Sequence, residues 1–202
     1  GNQTRNLNRA FPGRPDGNFT EQVAFAITEI VRRENVDLLI DLHEASPEYP
    51  VINAIVAHER AMPLAVDVVM NLELRDIRIS LEPSPQNLRG LTHREIGDHT
   101  NALAVLMETA NPAQGRLRGK TSADLILTGR DRMYIKAYGA GRLYVPFDET
   151  GHPLEGRVAR HLAGIEELLK VFSEQNPERP LTFQKVPEPE QIAAKGIGFF
   201  LN

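Results

Sequence analysis

Along this chain, short apolar runs alternate with longer segments whose apolar residues recur every three or four positions, the two periods that distinguish strands from helices. Over residues 18–34, Val23, Ile27, Ile30 and Val31 keep helical spacing, and Asn18 with Glu21 three positions on has the form of a capping box. A helix is predicted there, entered from a loop over 1–17. The run VDLLIDL at 36–42 predicts a strand buried on both faces of a parallel sheet, ending at Asp41-Leu42-His43-Glu44. Further on, the pattern predicts a strand over 51–57, a helix over 59–74 with Pro63 in its first turn, and a third strand over 77–81. Residues 83–90 are rich in turn formers. The run over 102–107 reads as a fourth strand, delivering Glu108 at its end before Asn111-Pro112 breaks it. A helical or mixed segment is expected from Ala123 onward. Over 155–174, Val158, Leu162, Ile165, Leu169 and Phe172 predict a long helix. The proline-bearing segment 176–202 is expected to be an extended tail.

This alternation argues for an α/β fold, a mixed, largely parallel sheet sandwiched by helices, with ligand sites at the carboxyl ends of strands. Residues 1–175 are expected to form that domain and 176–202 to pack on it.

Composition narrows the chemistry. The chain has 202 residues, enough for a real core, and a net charge of -4 from 23 basic and 27 acidic residues with no basic block, which argues against nucleic acid as a partner. No cysteine is present, so any metal must be held by His, Asp or Glu. No stretch approaches the roughly 20 apolar residues of a membrane span, so no membrane association is expected; the compartment stays open, with the cytoplasm favoured.

Four places could carry chemistry. His43 is predicted just past a buried strand, where an imidazole can ligate a metal or simply close the strand with a hydrogen bond. Glu108, at the end of another apolar run, fits a general base or a salt-bridged carboxylate. Asn8 and Arg9, in Asn6-Leu7-Asn8-Arg9-Ala10-Phe11-Pro12-Gly13, offer an amide and a planar guanidinium suited to a carboxylate, though Arg9 is also readable as a surface arginine. The stretch 90–99 holds His93, Arg94, Glu95, Asp98 and His99; it reads as a substrate loop or a hydrated one, and its two histidines, six apart, do not make a helical metal pair.

Taken in order, the Asn8-Arg9 motif, Asp41-Leu42-His43 and Glu108-Thr109 resemble the zinc carboxypeptidase superfamily, in its succinylglutamate desuccinylase and aspartoacylase branch. The resemblance covers roughly residues 6–112. It implies a substrate carboxylate bound by Asn8 and Arg9, zinc held by His43, and Glu108 as general base, in a metallocarboxypeptidase or N-acyl amino acid deacylase. Arg94 would be a second carboxylate contact, and Tyr134 or Tyr138 would close over the site. The substrate would be a small carboxylate-bearing molecule or a peptide C-terminus. The superfamily supplies two further zinc ligands from a His-x-x-Glu motif upstream of the Asn-Arg pair, whereas no His precedes His43 here. A truncated form of a longer enzyme is therefore expected, with zinc absent from this chain unless His58, Glu59, His93 or His99 completes the site. Two other readings stay open: a non-catalytic carboxylate-binding module with a degenerate metal site, and a structural core that assembles with itself.

Overall fold

The computed structural model describes residues 6–45, 53–111, 154–182 and 184–201. Its class is α/β. Four strands, β1 (Leu38–Ala45), β2 (Ala54–Ala57), β3 (Ser80–Pro83) and β4 (Leu103–Ala110), form one sheet in the order β1-β4-β2-β3. The helices among the described residues are α1 (Phe19–Arg33), α2 (Met62–Leu74), α3 (Thr92–His99), α4 (Leu154–Gln175) and α5 (Pro189–Lys195).

Hydrogen-bond register fixes the strand directions. The Leu103 N–H reaches the Asp37 carbonyl at 2.8 Å and the Asn111 N–H the Ala45 carbonyl at 2.7 Å, so β1 and β4 run parallel. Ser80 and Ser84 donate to the carbonyls of Asn53 and Ala57, each at 2.8 Å, so β2 and β3 are also parallel. The β4–β2 pair is antiparallel. His58 N–H meets the Ala104 carbonyl at 3.0 Å, while Ala110 N–H at the other end of β4 meets Asn53 Oδ1 at 3.0 Å. The sheet is mixed and mostly parallel.

The chain divides into two compact units, one comprising Gly1–Asp41, Val56–Ala65 and Leu81–Leu106, the other Leu42–Ile55, Val66–Ser80 and Met107–Asn202. In the first, Phe11, Ala24, Val31, Ile96, Ala102 and Ala104 make a buried cluster, with Ala10, Ile27, Val36 and Leu39 packed against it. The α1 capping box forms as the sequence predicts: Asn18 accepts from the Thr20 and Glu21 backbone, and the Glu21 carboxylate accepts from Asn18 N–H at 2.9 Å. The buried stripe of α1 differs from the apolar pattern, because Ile30 lies about 120° around the helix from Ala24 and is exposed. Ala24, Thr28 and Val31 are the buried residues of α1.

The second unit buries a charge. Glu167 of α4 is 2 % exposed and is held by Asn71 Nδ2 at 2.7 Å, Lys170 Nζ at 3.3 Å and Arg75 at 3.4 Å. The α4 helix follows its predicted bounds to within a residue at each end, and its Gly164 lies against Met107 of β4.

Several boundaries shift. β1 and β4 each run three residues further than predicted, so His43 and Glu108 lie inside strands and not just past them. Their continuation is sealed by the Asn111–Ala45 bond. Residues 92–99, expected as a loop, form α3, whose Thr92–Gly97 are all buried. The third strand begins at Ser80, three residues later than expected. The tail is not wholly extended, since Pro189–Lys195 is helical and Ile197–Phe200 adds a 3₁₀ turn. The segment expected from Ala123, with Tyr134 and Tyr138, lies outside the described residues.

Candidate functional site

His43 and Glu108 are brought together by register. The parallel bonds that tie residue 103 to 37 and 111 to 45 align position 43 with position 108 on the neighbouring strand, and aligned residues in a parallel pair project from the same face. Each lies two residues before the last residue of its strand. Alternation along β1 and β4 sends their neighbours Glu44 and Met107 to the opposite face, where α4 lies: Met107 meets Gly164, and the Glu44 carboxylate accepts from Arg157 Nε at 2.5 Å. Glu44 also accepts from Asn111 Nδ2 at 2.6 Å, which ties the end of β1 to the residue after β4. Beneath them on α4, burial pushes the His161 imidazole below its ordinary value, against the opposing charge of Glu44 and the backbone of His43 and Met107. His161 thus resists protonation more than a free imidazole, on the far side of the sheet from the His43–Glu108 face.

The Asn8-Arg9 motif lies in the first unit, folded into a 3₁₀ turn at Leu7–Arg9. Two glycines with positive φ make this possible. A Cβ at Gly13 would fall 2.1 Å from the Phe25 backbone nitrogen, and one at Gly90 would fall 2.6 Å from the Arg9 carbonyl, so both turns require glycine on steric as well as conformational grounds. The result is an open cleft of about 440 Å³ lined by Arg9, Arg14 and Arg89 together with Phe11, Asn18 and Glu21. Arg14 is paired with Glu21 at 2.9 Å and Arg89 with Asp98 at 2.6 Å. Among the described residues the Arg9 guanidinium donates to the Asn8 carbonyl, and no carboxylate lies within salt-bridge distance of it. Asn8 is engaged elsewhere. Its Oδ1 accepts from Thr92 N–H at 2.7 Å and Thr92 Oγ1 at 3.1 Å, securing the first turn of α3.

Arg94 is committed inside the protein. It is 3 % exposed, forks onto both carboxylate oxygens of Glu59, and reaches Asp98 Oδ1 at 3.2 Å. The Arg94 hydrogen bond holds the Glu59 carboxyl far below the usual range. Burial pushes Asp98 up, but hydrogen bonds from Arg89 and His58 and the charge of Arg94 outweigh it, so Asp98 also rests low. A guanidinium so engaged has no donor pair to offer a substrate.

His58, Glu59 and Asp98 put one ligand atom each within 4.8 Å of one another, a group that could hold a metal ion. Two features set a cost on that. Arg94 already supplies the counter-charge to both carboxylates. His58 Nδ1 accepts from Arg60 N–H at 3.3 Å, which leaves the proton on Nε2, where it meets Asp98 at 3.1 Å and Glu59 at 3.2 Å. A metal on Nε2 would turn Nδ1 into a donor facing a donor. The sequence alone points to His58 and Glu59 but not to Asp98 as their companion, since only the helical fold of 92–99 carries it there. Of the other two histidines that could complete a metal site, His93 is buried in α3, and His99 is largely exposed beside Glu95 at 3.3 Å.

No family model, curated protein or solved structure matches this chain. Among the described residues no helix is long and apolar enough to cross a membrane.

Proposed function

We propose that this chain is part of a zinc-dependent hydrolase of the metallocarboxypeptidase and N-acyl amino acid deacylase type, cleaving an amide bond near a substrate carboxylate. The observation that carries the reading is the register of β1 and β4, which sets His43 beside Glu108 near the carboxyl ends of two parallel strands. That is where α/β sheets present reactive groups, and a strand-mounted pair is held more rigidly than one on loops. Within this reading Glu108 takes a proton from the attacking water and returns it to the leaving amine. Arg9, a guanidinium in an open cleft, grips the substrate carboxylate. Arg94 and Asn8 serve the architecture that holds the Arg9 turn and α3.

The metal is tested by its ligands. A catalytic zinc takes three protein ligands and a water. Among the described residues His43 belongs to no group of three ligand atoms, so these residues alone do not fit a zinc, and no step is routed through one. The reading requires ligands from beyond the described residues.

A second reading, a carboxylate-binding module without catalysis, is favoured by the gathering of Arg9, Arg14 and Arg89 on one cleft. Zinc content separates the two. Measured on this chain, on a longer form of the gene product, and on His43→Ala and His58→Ala variants of each, the expected result is one zinc per long chain, lost with His43→Ala and kept with His58→Ala. In the long form Glu108→Gln should keep the zinc and lower hydrolysis of an N-acyl amino acid by about 10² to 10⁴. Zinc lost only with His58→Ala would move the metal to the Glu59–Asp98 cluster and overturn the assignment. No zinc in any form, with carboxylate affinity unchanged by chelator, would establish the binding module.

A further inference from the structure

Arg160 of α4 stands apart from the other buried charges of the second unit. Glu167 and Glu44 each have two or more partners, yet no hydrogen bond or ion pair reaches the Arg160 guanidinium among the described residues, and its Nε is fully enclosed. Burial lowers its proton affinity with no opposing carboxylate. A guanidinium cannot escape the cost by deprotonating near neutral pH, so it stays charged and calls for a counter-ion.

The surroundings supply room for one. Arg160 lines an open cavity of about 340 Å³ with Ile77, Ala159, Pro189, Ala193 and two carboxylates, Asp76 and Glu190. Arg160 is half-buried, while Asp76 and Glu190 are exposed. Positive charge therefore sits deep and negative charge sits at the rim. A polyanion such as phosphate would meet Arg160 only by passing two carboxylates. A zwitterion matches both layers, its carboxylate on Arg160 and its ammonium toward the rim, and the apolar lining accepts a small side chain.

We propose that this cavity is a binding site for a small α-amino acid, with Arg160 holding its carboxylate and Asp76 and Glu190 its ammonium group. The site does not depend on the hydrolase reading, since it uses neither His43 nor Glu108.

The test follows the Arg160 side-chain Nε–H signal in ¹⁵N-labelled protein at neutral pH, assigned by its loss in Arg160→Gln, during titration with L-alanine, acetate and inorganic phosphate. L-Alanine should shift it saturably, with half-saturation about fivefold below that of acetate, the scale of one exposed ion pair. Asp76→Asn with Glu190→Gln should bring L-alanine level with acetate while leaving the acetate titration intact. The proposal is overturned if none of the three probes saturates, if phosphate binds more tightly than L-alanine, or if the preference for L-alanine survives the double substitution.

Discussion

Arg94 and Arg160 are both helical arginines withdrawn from solvent, and their charges are met in opposite ways. In the first unit Arg94 meets Glu59 with both arms and Asp98 with one, and its hydrogen bond holds the Glu59 carboxyl low. In the second, Arg160 lines a cavity that also carries Asp76 and Glu190, with no hydrogen bond or ion pair to a carboxylate among the described residues. The first arrangement closes a network and leaves nothing for a ligand. The second leaves the Arg160 Nε without a partner among the described residues. A buried arginine is thus informative about binding only when its partners are counted.

The largest effect expected from breaking this contrast is at Arg94. Among the described residues, Arg94→Met leaves Glu59 without its cation and Asp98 with Arg89 as its arginine partner. Breaking a buried pair costs about 3 to 5 kcal/mol, and the half-exposure of Glu59 brings the expectation to the lower end, about 3 kcal/mol of lost stability in urea unfolding. Arg160→Met should do the reverse, raising stability by about 1 kcal/mol, because it removes an uncompensated charge and keeps the bulk. A loss of stability in that variant would mean that Arg160 has a partner in the folded protein.

The smallest effect separates the units by pH. The folded His161 affinity is lowered, so below its ordinary value of 6.5 the unfolded chain takes up a proton that the folded chain resists; stability is full above that value and declines as pH falls below it. Glu44 and Arg160 are the charges that bear on it, one favouring the proton and one opposing it. The Glu59 contribution is also lost with falling pH, but only from its ordinary value of 4.5 downward. Hydrogen exchange followed from pH 7 to 4 should therefore show amides of α4 losing protection at a higher pH than those of α3. His161→Phe should remove the earlier loss and leave the later one. Simultaneous loss in both helices would sink the distinction.

Much of the fold is legible in the sequence because it rests on local rules. The α1 capping box is written in Asn18 and Glu21, and α4 in the spacing of its apolar residues. The strands are legible but read short, because Leu42, His43 and Glu44 in β1, and Glu108 and Thr109 in β4, do not continue an apolar run; backbone bonds to the adjacent strand extend them all the same. Helix α3 is not legible at all. Its eight residues carry His93, Arg94, Glu95 and Asp98, which read as a solvated loop until their partners are known. In the site, the candidates Arg9, His43 and Glu108 can be named from residue type and order, whereas the engagement of Arg94 and the companionship of Asp98 with His58 cannot.

By itself the sequence determined where chain segments cap and repeat: the capping box of α1 and the period of α4. These are decided by interactions within a few residues, so they are written in a few letters. Only the tertiary structure decided that His43 aligns with Glu108, that Arg94 is spent on Glu59 and Asp98, and that Arg160 lines a cavity with no partner for its Nε among the described residues. Each depends on which distant group is present or absent within a few ångströms, and charge, being long-ranged and costly to bury, takes its meaning from that company.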